Sequence, residues 1–201
     1  MHKRAERILV AALAAFVVLG FSSMVFSAVD RDEPLPPSPQ PEMLPTAGDP
    51  SNLTGAEWFA EMREYCNPVD VATRTAWNPA PDTHEGTKYE ATCYALAGRI
   101  DDARAALLTL PSDEQWRGAG VVFGAGHPAA DAGDDLAAGP LMELVVEFWP
   151  NHYQALYHAG AAAYERSEYE LAAGYLERFL EEYSMEDGWR RSALAMLTEI
   201  G

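Results

Sequence analysis

Beyond the first few residues, the side chains able to bind a metal or act as a nucleophile are His84, His127, His152, His158, Cys66 and Cys93. The histidines form no HExxH pair, the spacing that sets two imidazoles on one helix face. The six-residue step from His152 to His158 points those two rings to different faces of a helix. Linear spacing therefore assembles no metal-ligand set, and no metal is expected. Of the four, His127 beside Pro128 lies in the least regular segment. The paired acids Asp101-Asp102 and Asp134-Asp135 fall at expected helix starts, where carboxylates complement the amino-terminal dipole. Glu181 and Glu182 fall on a solvated face. No serine lies in a GxSxG setting with an evident base, so no catalytic residue is assigned.

The glycine-rich stretch GAGVVFGAGHP places Gly120, Gly124 and Gly126 in a GxxxGxG pattern like the phosphate loop of short-chain dehydrogenases. Such a loop works only after a β-strand and before a helix. Here the polar, proline-started PSDEQWR precedes it, and nothing in the chain reads as a parallel sheet. Close helix packing or a bent loop is expected over 118–127, and no cofactor. An envelope enzyme or small-ligand binder using this segment with His127 is the alternative function.

What the two cysteines do depends on where they reside. The head MHKRAER is basic, and Ile8 to Val29 then runs 22 residues without a charged side chain. As a helix that run spans roughly 33 Å, enough for a hydrocarbon core of about 30 Å. The positive-inside rule keeps residues 1–7 in the cytoplasm and sends everything after Val29 across the membrane. The run exceeds a signal-peptide core, so an uncleaved single-pass anchor at 8–29 is expected, with cleavage as the alternative. Residues 30–50 hold seven prolines and form an extended acidic linker that reaches up to about 60 Å. Beyond the membrane a disulfide between Cys66 and Cys93 is permitted. It would close a loop of about 28 residues, worth ~3.6 kcal/mol on the chain-entropy model. Two buried free thiols are the other reading.

The elements that must carry these residues are helical throughout 51–201. Thr54 is a natural cap in TGAEWFAEMREYC, whose Trp58, Met62 and Cys66 share a face. Asn67 and Pro68 restart a helix in NPVDVATRTAW, and NPAPDTHEG breaks the chain. Three turns then recur, at Gly98, Gly133 and Ser167, with intervals of 35 and 34 residues. An alanine follows each by five positions (Ala103, Ala138, Ala172), and a large apolar residue follows four later (Leu107, Met142, Leu176). Pro111 follows its turn four residues sooner than Pro150 does, so the first unit has a shorter second helix. DGWRRSALAMLTEI is a closing helix, with Trp189, Ala193, Met196, Leu197 and Ile200 in one stripe and Arg190 and Arg191 outside.

This period, with a helix on each side of the turn, resembles the tetratricopeptide repeat, most clearly in NHYQALYHAGAAAYERSEYELAAGYLERFLEEY. The resemblance implies an all-α fold of stacked helical hairpins, an α-solenoid following the membrane helix and linker. In it Gly160 sits against Ala172 so the backbones approach, while Leu176 and Phe179 fill the space beside them. It also implies a concave groove lined by first helices, where Tyr153 and Tyr157 lie one turn apart. The expected function is a non-catalytic interaction or scaffolding module on the periplasmic or extracellular side, binding another protein or peptide of the cell envelope. The net charge of −17 repels phosphate backbones and excludes nucleic acid as a partner.

Overall fold

The computed structural model describes residues 53–201, and every regular element among them is helical. The basic head at 1–7, the expected membrane anchor at 8–29 and the expected linker at 30–50 lie outside the described residues. Among the described residues no helix is long and apolar enough to cross a membrane.

Helix α1 spans Gly55–Met62. Thr54 starts it with a capping box: its hydroxyl accepts from the Glu57 N–H at 3.2 Å, and the Glu57 carboxylate accepts from the Thr54 N–H at 2.8 Å. A 3-10 turn at Arg63–Tyr65 follows. The next helix, α2, spans Val71–Trp77, a later start than the Asn67-Pro68 reading predicts. Asn67 still caps as expected: its side-chain oxygen accepts from the N–H groups of Val69 and Asp70, each at 3.0 Å, and its carbonyl from Val71 at 3.2 Å, so 67–70 form a capped turn that leads into the helix.

Six helices follow as three hairpins. The first pairs α3 (His84–Leu96) with α4 (Ile100–Thr109), the second α5 (Ser112–Asp131) with α6 (Asp135–Phe148), and the third α7 (Tyr153–Glu165) with α8 (Tyr169–Glu182). The three turns share one construction. Gly98, Gly133 and Ser167 have φ of 73°, 86° and 61°, the left-handed region that ends helices. At each turn the next N–H reaches five residues back, from Arg99 to Tyr94, Asp134 to Ala129 and Glu168 to Ala163, at 2.9 to 3.0 Å. This is the Schellman arrangement, repeated three times. The alanines five positions on and the large residues four further are all buried. Helix α4 has 10 residues where α6 and α8 have 14, the shortening that Pro111 announces.

The two helices of each hairpin pack on each other, α1 and α5 pack on α3, α7 packs on α6, and α9 (Gly188–Ile200) closes over α7 and α8. The main core joins Leu107, Val122, Met142, Leu156, Leu176 and Phe179. Gly160 leaves room for Leu176, the residue expected to fill the space beside it: a Cβ there would meet Leu176 Cγ at 2.7 Å. The glycine-rich segment lies wholly inside α5. Gly118 lies under Leu107 and Gly126 under Leu141 and Met142, letting α5 press on both neighbours. Helix α5 also runs through Pro128. Pro128 and Gly124, four residues earlier, are both exposed, so water can satisfy the carbonyl that proline leaves unpaired.

A smaller core of Trp58, Met62, Val71 and Ala97 surrounds a disulfide between Cys66 and Cys93, with Cα atoms 4.8 Å apart. Trp58 donates its indole N–H to the Asn78 carbonyl at 3.0 Å. The bridge and this bond fasten α1 and the proline-broken connection onto α3.

Candidate functional site

The first helices of the second and third hairpins, α5 and α7, carry a run of aromatic and imidazole rings in contact. Trp116 meets Trp149 at 5.2 Å between centroids, and Trp149 meets His152 at 4.6 Å. Phe123 lies between His152 at 4.1 Å and His127 at 4.4 Å. His127 meets His158 at 5.3 Å, and His158 meets Trp189 of α9 at the same distance. From Trp189 the run passes through Tyr157 and Phe179 to Tyr183 and Tyr153. Trp116 and Tyr153, the two ends, are exposed, and most rings between them are half-buried. Aromatic pairs of this geometry add about 0.5–1.5 kcal/mol each beyond their area.

The groove candidates therefore separate. Tyr153 remains at the surface, stacked on Tyr183 at 5.0 Å. Tyr157 is wedged between Trp189 at 4.9 Å and Phe179 at 5.3 Å, beside a cleft that also touches Ser192, Met196 and Glu199. Tyr183 donates its hydroxyl to Asp187 at 2.5 Å, and that carboxylate pushes the phenol up to about 12. Arg190, expected outside, turns inward instead: its guanidinium donates to the Tyr183 carbonyl at 2.9 Å and to the Leu180 carbonyl at 3.3 Å, closing the end of α8.

At the middle of the run His127, Asp131 and His158 come together, with ligand atoms all within 4.8 Å of one another. His127 and Asp131 are four apart on α5 and so share its face, with Nε2 3.3 Å from Asp131 Oδ1. His158 comes from α7 and is buried, its Nδ1 2.7 Å from Oδ1 of Asp135 on α6. A carboxylate only accepts, so Nδ1–H donates, and in the neutral ring the lone pair is then on Nε2. That Nε2 is buried and has no hydrogen-bond partner. Burial pushes His127 and His152 below the ordinary histidine value, favouring the neutral ring; Asp131 partly opposes this at His127. His152 caps α7, accepting the Ala155 N–H on Nδ1 at 3.3 Å. Asp135 thus does more than complement a helix dipole, whereas Asp134 caps α6 by accepting from Ala137 at 3.1 Å.

Linear spacing misses this set because His158 comes from a different helix, 27 residues after Asp131. The one visible signal is the four-residue step from His127 to Asp131 on a helix. The phosphate-loop pattern has no counterpart here: Gly120, Gly124 and Gly126 are helical, and there is no strand among the described residues.

The second helices present a different face. Arg104 of α4 grips Glu147 of α6 through Nε, at 2.8 and 3.0 Å to the two oxygens. Arg166 at the end of α7 bonds Glu143 at 2.6 Å and Glu168 at 2.7 Å. These pairs rim a cleft of about 520 Å³ lined by Ile100, Leu144, Tyr175 and Arg178 among others. Arg104, Glu143 and Glu147 in its lining are paired, while Arg178 donates to the Pro150 carbonyl at 2.7 Å.

No protein-family model matches the sequence, and neither the curated proteins nor the solved structures give a match.

Proposed function

We propose that the chain is a membrane-anchored, extracytoplasmic interaction module of stacked helical hairpins, similar to tetratricopeptide repeats, that binds another protein of the cell envelope and carries out no catalysis. The observation that carries this reading is the threefold recurrence of one Schellman turn with one buried alanine and one large buried residue behind it. A unit of that kind buries its open face by stacking on the next, and such stacks take peptides along their first helices. The half-buried ring run on α5 and α7, ending at the exposed Tyr153, suits that use, because aromatic residues supply contact area at low entropic cost. The Cys66–Cys93 bridge fits an oxidising compartment beyond the membrane.

The test is site-specific photocrosslinking of the full-length chain in its native cells, with the probe at Tyr153, at Arg178 on the second-helix face and at exposed Met185. A discrete adduct from Tyr153, reproduced with the purified partner and absent from Met185, is the expected outcome. Equal or no labelling at all three positions contradicts a first-helix groove, and a discrete adduct from Arg178 alone moves the interface to the charged cleft.

A further inference from the structure

We propose that His127, Asp131 and His158 bind one divalent transition-metal ion of the Zn²⁺ type, with Asp135 as the residue that positions His158. This goes beyond the interaction module above and does not depend on it. The donor set has two imidazoles and one carboxylate, a composition that suits zinc and its neighbours; magnesium and calcium demand oxygen-rich shells of six or more. The three donors lie within 4.8 Å of one another, whereas donors at about 2.0–2.2 Å from a tetrahedral zinc sit ~3.4 Å apart. Side-chain rotations of about an ångström close that difference.

The buried nitrogen of His158 is the second, independent observation. Its side chain is 4% exposed, Asp135 holds the opposite ring nitrogen at 2.7 Å, and Nε2 has no partner. Leaving a buried acceptor unpaired is unfavourable, and native interiors rarely tolerate it without a ligand or water. The arrangement is that of a metal-bound histidine whose far nitrogen donates to a carboxylate, which fixes both tautomer and ring orientation. Asp131 is more than half exposed, so the ion has an entry path. Gln154, whose amide lies 3.5 Å from His127 Nε2, is the side chain that must turn aside or offer its oxygen. Three protein donors leave a fourth position open for water or for a ligand atom from a partner.

The experiment is calorimetric titration of Zn²⁺ into the full-length chain, purified in detergent, with the disulfide intact and metals removed by a chelator and dialysis. One ion per chain is expected, not displaced by a large excess of Mg²⁺. Asp131→Asn and His127→Ala should each weaken binding by at least ~10-fold with the helical circular dichroism unchanged, while His84→Ala leaves it as it was. Because His158 is buried and its variants can fail to fold, the exposed Asp131 decides the matter. For Asp135→Asn the readout is the ¹⁵N shift of the His158 ring in metal-free protein, which a mere packing role would leave in place. No stoichiometric step, displacement by Mg²⁺, or undiminished affinity in either Asp131→Asn or His127→Ala overturns the site.

Discussion

Cys66 and Cys93 approach from the 3-10 turn after α1 and from α3, and they meet in a covalent bond inside a small core. His127, Asp131 and His158 approach from α5 and α7, and their donors stop within 4.8 Å of one another with one buried nitrogen unpartnered. Both groups have the chemistry to hold a metal. The leading segment has consumed that chemistry to fasten a region where the repeat is weakest, while the later hairpins, already held by repeated turns and buried alanines, leave theirs open. Reactive side chains thus read as structural where local packing is thin, and as available where packing is complete without them.

The contrast can be broken most strongly at the bridge. Replacing both cysteines by serine should lower stability by roughly 3–4 kcal/mol, seen in chemical denaturation, with proteolysis starting in residues 53–83. If the comparison holds, that variant still binds one Zn²⁺, because the hairpins bearing the histidines do not need the staple. Next in size, Zn²⁺ at about 100 times its dissociation constant should stabilise the wild-type chain by ~2.7 kcal/mol in a thermal melt, and Asp131→Asn should lose most of that gain.

A smaller effect comes from pH. Burial lowers His127 and His152 in the folded chain, so the unfolded chain takes up protons first as pH falls. Metal-free stability is therefore fully present above the ordinary histidine value, near 6.5, and is lost as pH drops toward the depressed folded values. Denaturation curves across that range should show the decline, and saturating Zn²⁺ should shift it to lower pH. The least effect belongs to the charged face. Arg104→Ala removes a half-exposed pair with Glu147 and should cost under ~1 kcal/mol, read from the same curves.

What could be read from the sequence was the part governed by local chemistry. Gly98, Gly133 and Ser167 marked the turns because a left-handed residue ends a helix, and Ala103, Ala138 and Ala172 followed because helix crossings need small side chains. The bridge was one of two open readings, and proximity in the fold decides it. What escaped depends on which helices become neighbours. Arg190 turns in to the end of α8, and His158 meets Asp135 and His127 across three helices. Asn67 makes the capping bonds its sequence position suggests, while the regular helix begins only at Val71.

X-ray absorption at the zinc edge of the full-length chain loaded with one equivalent of Zn²⁺ tests the contrast most directly, because it reads both groups at once. The expected result is a first shell of nitrogen and oxygen only, with the multiple scattering of two imidazoles and no sulfur. Sulfur in the shell, or zinc without imidazole, would contradict it.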